Sequence, residues 1–369
     1  MKIENDIKLD FSDVLIRPKR TVLSSRSQVS VEREFKFPHS TSKWTGVPIM
    51  AANMDTTGTF DVMNELSKHN MLTCLTKFYS KEDYDENLPK CPLQNYNGIV
   101  STGIGESDFE KLCTIIDWKN TLLAYEGKPV LNWVCVDVAN GYMQKIVTFC
   151  QRVREKYPDV ILIAGNVATR EMTEELIING KVDIVKVGIG PGSACLTRLK
   201  TGVGMPQLSC IIECADAAHG AGGLIIADGG ITCPGDMAKA FGGGADFVMV
   251  GGQFAGHDEN PGELVEEDGE KYKLFYGMSS EHAMNKHYGK MEKYRSSEGR
   301  VIKIKYKGPI VNTVLDYLGE GSSMIRLPIN TGQVFGEMND EENVRWLGNM
   351  HPGWRISGEI LESQDTYSL

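Results

Sequence analysis

Along this chain, short apolar runs alternate with longer stretches in which apolar positions recur at helical spacing. Each run ends in polar or glycine residues. Residues 47–51 lead into Asn53 and Asp55, and residues 71–75 into Lys77. Residues 98–102 form the third run, and 133–136 lead into Asp137 and Asn140. Residues 160–164 lead into Asn166, and 184–187 into a glycine loop. The last two, 224–227 and 247–250, run into Asp228-Gly229-Gly230 and Gly251-Gly252. Near-continuous apolar strands alternating with helices predict a parallel sheet covered on its outer face. Eight such units between residues 47 and 250 suit a (β/α)8 TIM barrel, whose chemistry sits at the strand C-termini. A doubly wound open sheet competes, but it normally carries a phosphate-binding glycine motif after its first strand, and none stands there.

The flanks read differently. Residues 29–37 alternate like a strand with one face to solvent. After the eighth run, residues 256–300 are polar and interrupted, which predicts a flap or hairpin insertion; Tyr276-Gly-Met-Ser-Ser280 opens a helix with serines to cap it. From residue 319 the rhythm stops. The expected organisation is one catalytic barrel over 1–318, with an N-terminal extension and the flap, then an atypical C-terminal tail over 319–369 of unassigned fold.

Composition narrows the function. The 369 residues carry a formal net charge of −10, and the densest basic patches (17–20 and 303–307) are short, which argues against a nucleic-acid partner. No apolar run reaches membrane-span length and the first residues lack a signal-peptide core. The nine cysteines are an odd count with no Cys-x-x-Cys pair, so neither a disulfide framework nor a zinc site is indicated. A reducing cytoplasm fits.

The chemistry concentrates at the loop after the sixth strand. Gly188, Gly190, Pro191 and Gly192 let the backbone approach a ligand, and Cys195, Thr197 and Arg198 follow. A cysteine in a βα loop is more often structural filler than nucleophile; a neighbouring cation and oriented backbone dipoles reverse those odds. The glycine pairs after strands seven and eight occupy the usual phosphate corner of a barrel. Asp228 beside them reads as a ribose-hydroxyl acceptor or, equally, as a helix cap. Tyr294-Arg-Ser-Ser-Glu-Gly299 supplies Arg295 for a phosphate or purine and Glu298 as an acid or base, although such a charged run by itself is usually solvated surface.

Five stretches together resemble the inosine-5′-monophosphate dehydrogenase/GMP reductase superfamily. They are Gly188-Ile-Gly-Pro-Gly-Ser-Ala-Cys-Leu-Thr-Arg-Leu-Lys-Thr-Gly-Val-Gly204, Asp228-Gly-Gly230, Ala240-Phe-Gly-Gly-Gly-Ala-Asp-Phe-Val-Met249, Phe275-Tyr-Gly-Met-Ser-Ser280 and Tyr294-Arg-Ser-Ser-Glu-Gly299. The start (Leu9-Asp-Phe-Ser-Asp-Val-Leu-Ile-Arg-Pro18, Ser25-Arg-Ser27, Ala51-Ala-Asn-Met-Asp55) is similar to the GMP reductase branch, and no regulatory insert separates the early strands.

The resemblance implies NADPH-dependent reductive deamination of GMP to IMP and ammonia through a covalent thioimidate on Cys195, with Thr197 and Glu298 protonating the leaving ammonia. It implies a GMP site of Asp228, Gly229, Gly230, Gly251, Gly252, Gly277, Met278, Ser279, Arg295, Ser296, Ser297 and Gly299. NADPH would meet Ser25, Arg26, Lys77, Asp137, Val138, Ala139, Ile189 and Gly190. A monovalent cation, K+, would sit on carbonyls of Gly190, Gly192, Cys195 and Arg198, and the assembly would be a homotetramer. Two departures stand out: Leu196 occupies a position where many relatives have Thr, and Gly319-Glu-Gly-Ser-Ser-Met-Ile-Arg-Leu-Pro-Ile-Asn330 replaces the family's segment that reaches a neighbouring subunit's cofactor site. The alternatives are an NAD-dependent IMP dehydrogenase and a GMP-binding pseudoenzyme with a regulatory role.

Overall fold

The computed structural model describes residues 5–16, 25, 28–91, 97–125, 132–289 and 297–326. An antiparallel hairpin comes first: Arg33–Lys36 (β1) pairs with Lys43–Gly46 (β2), Phe35 opposite Trp44. Eight strands then close a parallel barrel. They are Ile49–Ala51 (β3), Leu72–Cys74 (β4), Gly98–Thr102 (β5), Trp133–Asp137 (β6), Ile161–Val167 (β7), Ile184–Val187 (β8), Leu224–Asp228 (β9) and Phe247–Val250 (β10). Closure comes from β10 against β3, Val248 beside Ile49. Every apolar run expected to be a strand is one.

Helices cover the outside in the expected alternation. Phe60–Ser67 (α1), Lys81–Asn87 (α2), Glu106–Tyr125 (α3), Gln144–Lys156 (α4) and Arg170–Ile178 (α5) each follow one strand from β3 to β7. Thr197–Thr201 (α6) and Gln207–Gly220 (α7) follow β8, and Pro234–Gly242 (α8) follows β9. Glu281–Tyr288 (α9) lies in the flap. Ile310–Arg326 (α10) packs between α8 and α1 and completes the ring. The boundary expected at residue 318 therefore falls inside a barrel helix, and the tail from residue 327 lies outside the described residues.

The strands read as unbroken apolar runs because both of their faces are buried. Along β7, Ile161 and Ile163 point into the barrel interior while Leu162 and Ala164 join the layer under the helices. Phe35, Phe37 and Trp44 of the hairpin region pack onto the same interior set. Phe37 and Trp44 meet Trp133, the first residue of β6, edge-on with ring centroids 5.3 and 5.7 Å apart, and Phe35 lies 4.3 Å from Phe247, the first residue of β10. The alternation in residues 29–37 thus serves a plug at the strand N-termini, and the opposite mouth is left for ligands.

The flap is a three-stranded antiparallel sheet rather than a two-stranded hairpin. Val265–Glu267 (β11), Glu270–Tyr276 (β12) and Val301–Lys305 (β13) pair in that order, with α9 between the last two. It extends to Lys305, past the expected end at residue 300, and absorbs the short basic patch. Lys303 and Lys305 of β13 pair with Glu267 of β11 and Glu270 of β12.

Candidate active site

The loop after β8 and the return segment of the flap are stitched together by backbone bonds. Leu196 N–H donates to Glu298 O (2.6 Å), Arg300 N–H to Ala194 O (3.0 Å), and Cys195 lies opposite Gly299 in an antiparallel bridge. Two glycines permit this approach. A Cβ on Gly299 would stand 2.7 Å from Ser280 N, and one on Gly277 2.9 Å from Ala194 O, both too close for any side chain.

That stitching delivers a reactive line of side chains. Thr197 Oγ1 donates to Glu298 Oε2 at 2.8 Å and lies 3.2 Å from Cys195 Sγ. Cys195 is half-buried, so the thiol faces the mouth while its neighbours hold it. A nucleophile, a hydroxyl relay and a carboxylate in hydrogen-bond sequence suit covalent catalysis with a proton delivered to a leaving group.

Beside this line lies a charged group that the sequence pattern left unassigned. Lys186, in the middle of apolar β8, is only 3 % exposed. Its ammonium reaches Asp137 Oδ1 (2.7 Å) and Asp228 Oδ2 (3.1 Å), tying the C-terminal ends of β6, β8 and β9. Asp137 also receives Lys77 at 3.3 Å. Burial pushes the Asp137 carboxyl up, but Lys186 and Lys77 outweigh it and hold the group well below the usual carboxylate range. The same two carboxylates raise Lys186 well above the usual lysine value against the burial that lowers it. Asn166 Nδ2 donates to Asp228 Oδ2 (2.8 Å) and to Gly188 O (2.7 Å). Both contacts on Asp228 fall on Oδ2, which leaves Oδ1 without either of them, and the helix that follows β9 is capped at Cys233, so the helix-cap alternative for Asp228 does not apply. A lysine inside an apolar strand was the available signal, since a buried ammonium requires carboxylate partners.

The glycine pairs expected to form a phosphate corner lie at the ends of β9 and β10. Gly229 adopts φ +89°, a conformation side chains rarely take, and an added Cβ there would stand 2.8 Å from Pro191. Gly251 and Gly252 lie beneath the Phe275 ring of the flap. Met278 Sδ accepts the Asp55 N–H at 3.4 Å, Ser279 O accepts the Glu298 N–H at 3.2 Å, and Ser297 Oγ donates to Gly299 O at 2.9 Å. These bonds gather Gly277, Met278, Ser279, Ser297 and Gly299 at the mouth. Arg295, Ser296 and Arg26 lie outside the described residues.

Three of the residues expected to take a nicotinamide cofactor come together. Lys77, Asp137 and Val138 meet at the ends of β4 and β6, and the Val138 backbone is clamped to β7 through Gly165 O and Asn166 N–H. Ala139 beyond them is exposed, and Ser25 forms a turn in which its N–H donates to Gln28 Oε1 at 3.1 Å. A cation, a carboxylate and exposed backbone fit a polar, charged cofactor. The carbonyls of Gly190, Gly192, Cys195 and Arg198 offer an oxygen-only donor set suited to a hard cation. Gly192 O and Arg198 O each accept one backbone N–H (3.0 and 3.1 Å), leaving a lone pair apiece. Ile189 O is occupied by Arg198 Nε at 3.2 Å. Among the described residues no cluster of His, Cys, Asp and Glu could hold a metal, and no helix is long and apolar enough to cross a membrane.

Comparison with known proteins agrees with this geometry. The sequence model of the family described as IMP dehydrogenase / GMP reductase domain matches residues 8–328. The GMP reductase of Shigella boydii serotype 18 (strain CDC 3083-94 / BS512) is 55% identical over 320 residues, covering 86% of this chain and 89% of the relative. The GMP reductase of Escherichia coli O157:H7 is similar to the same extent. With its closed eight-stranded barrel, its flap-borne glutamate and a family match over most of its length, this chain belongs to the IMP dehydrogenase / GMP reductase family.

Proposed function

We propose that this chain is a GMP reductase, an oxidoreductase that converts GMP to IMP and ammonia. The observation that carries the reading is the line Cys195–Thr197–Glu298, drawn from the loop after β8 and the return segment of the flap. Cys195 Sγ adds to C2 of the guanine ring, and the C2 amino group leaves as ammonia after taking a proton relayed from Glu298 through Thr197. A thioimidate on Cys195 remains, so one difficult substitution is divided into two easier steps. NADPH, when bound against Lys77 and Asp137, supplies the hydride that replaces sulfur at C2 and frees IMP.

The other residues hold the nucleotide. Asp228 accepts from the ribose, with Lys186 and Asn166 fixing its other oxygen. The amides of Gly229, Gly230, Gly251 and Gly252 take the phosphate, and the resemblance adds Arg295, Ser296, Ser297 and Gly299 to the nucleotide's contacts. The carbonyls of Gly190, Gly192, Cys195 and Arg198 would hold K+, which would fix the shape of the cysteine loop. The chain works in the cytoplasm as a homotetramer, as the family resemblance implies.

The test is one reaction mixture: purified protein, GMP, NADPH and K+, with nicotinamide absorbance followed and ammonia assayed. Equal losses of NADPH and gains of ammonia support the reductase. Turnover of IMP with NAD+ instead would make it a dehydrogenase. GMP raising the melting temperature with no turnover would favour the pseudoenzyme and direct attention to the altered tail.

A further inference from the structure

The flap must be seated before it can present Glu298, and one carboxylate gathers its donors. Asp55 stands in the loop after β3, its side chain 2% exposed. Its Oδ2 accepts from His287 Nε2 (2.6 Å), Lys286 Nζ (3.0 Å) and the Tyr276 hydroxyl (3.1 Å), and its Oδ1 from the Thr76 hydroxyl (3.3 Å). Three of these four donors belong to the flap: Tyr276 ends β12, and Lys286 and His287 lie in the last turn of α9.

Burial raises the Asp55 carboxyl, but the His287 and Lys286 donors outweigh it and hold the group below its usual range. A buried carboxylate left without those donors would be costly, so the flap cannot lift without exposing that cost. The His287 ring is also laid flat on Phe78, with centroids 3.5 Å apart and planes 6° from parallel. Between the two anchored points, Tyr276 and α9, runs the segment that carries Met278 and Ser279. The Asp55 N–H bonds Met278 Sδ directly, and Ser279 O takes the Glu298 N–H.

We infer that Asp55 is the positioning residue that seats the flap over the active site, its carboxylate locating Met278 and Ser279 and, through Ser279 O, the Glu298 that bonds Thr197. Asp55 acts through the flap; no reacting atom need touch it. The kinetic side of this inference rests on the reductase reading above. Its structural side does not.

The experiment compares the full-length protein with Asp55→Asn, His287→Ala and the double variant. Amide hydrogen exchange over residues 270–288 is expected to quicken about tenfold in each single variant, the scale of one lost charge-assisted hydrogen bond, with barrel strands β5 to β8 unchanged. The KM for GMP rises about tenfold while the KM for NADPH stays within about twofold, and the double variant is no worse than the poorer single one because both break one clasp. If Asp55→Asn does not fold, His287→Gln, which returns a donor, should recover most of what His287→Ala loses. Unchanged flap exchange, or equal loosening of flap and barrel, overturns the inference. A wild-type protein that fails to turn over GMP overturns the reductase reading instead and leaves the clasp to the exchange measurement.

Discussion

Thr197 and Glu298, 101 residues apart in the chain, share a hydrogen bond of 2.8 Å. The bond joins the first residue of α6 to the segment of the flap that leads into β13, and the Cys195 thiol lies 3.2 Å from the same hydroxyl. The carboxylate is thus carried to the thiol by the flap and not by the barrel.

Glu298→Gln keeps an oxygen to accept the Thr197 hydroxyl and removes the group that can take up and release a proton. GMP turnover should fall by about 10²- to 10⁴-fold, the range for losing a general acid–base group. Calorimetric GMP binding should stay near the wild-type value. Thr197→Val, which removes the relay, should lose activity to a similar degree. Normal turnover in either variant would exclude the relay.

Cys195→Ala should abolish turnover while still binding GMP, because the residues proposed for the phosphate and ribose lie at the ends of β9 and β10 and in the flap. Mass spectrometry of the wild type quenched during turnover should find a purine nucleotide on the peptide holding Cys195, and none in the variant.

Lys186→Met leaves Asp137 with Lys77 alone and takes from Asp228 its ammonium partner at the barrel mouth. Removing one partner of a buried ion pair costs about 3–5 kcal/mol, and the lower end is expected because Asp137 and Asp228 keep 23% and 19% of their side chains exposed. Denaturant unfolding monitored by circular dichroism reads this directly. A loss under about 1 kcal/mol would mean that water or Asn166 replaces the ammonium.

His219 sits in the last turn of α7 and reaches Asp246 Oδ2 at 2.9 Å. Burial lowers its pKa, but Asp246 more than offsets this and the net shift is upward from 6.5. A group whose pKa rises on folding stabilises the protein fully below its unfolded pKa. That stabilisation is lost as pH climbs through the raised folded value. The melting-temperature gap between wild type and His219→Gln should therefore be widest near pH 6 and narrow steadily toward alkaline pH, by thermal scans at constant ionic strength. A gap that widens with pH would reverse the assignment.

How much of this was legible beforehand follows from the range over which each force acts. All eight barrel strands could be read from apolar runs because a parallel strand buried on both faces leaves that mark on its own few residues. The polar residues at the strand ends, Asn53 to Gly252, marked the mouth for the same local reason. Cys195, Thr197 and Asp228 could be placed near one another from their strand ends alone, and Glu298 only through resemblance, since nothing in residues 294–299 distinguishes it from a solvated charge.

Three features depended on closure. The plug formed by Phe35, Phe37 and Trp44 needed the barrel floor to pack against. Asp55 and its flap donors lie more than 220 residues apart, and Lys186 of β8 reaches past β7 to Asp137 of β6 as well as to Asp228 of β9. Hydrophobic periodicity is a property of consecutive residues, so the sequence by itself determined the strands, the helices and the end of the barrel where chemistry occurs. Which charge meets which across that mouth is a property of distance in space, and the tertiary structure alone decided it.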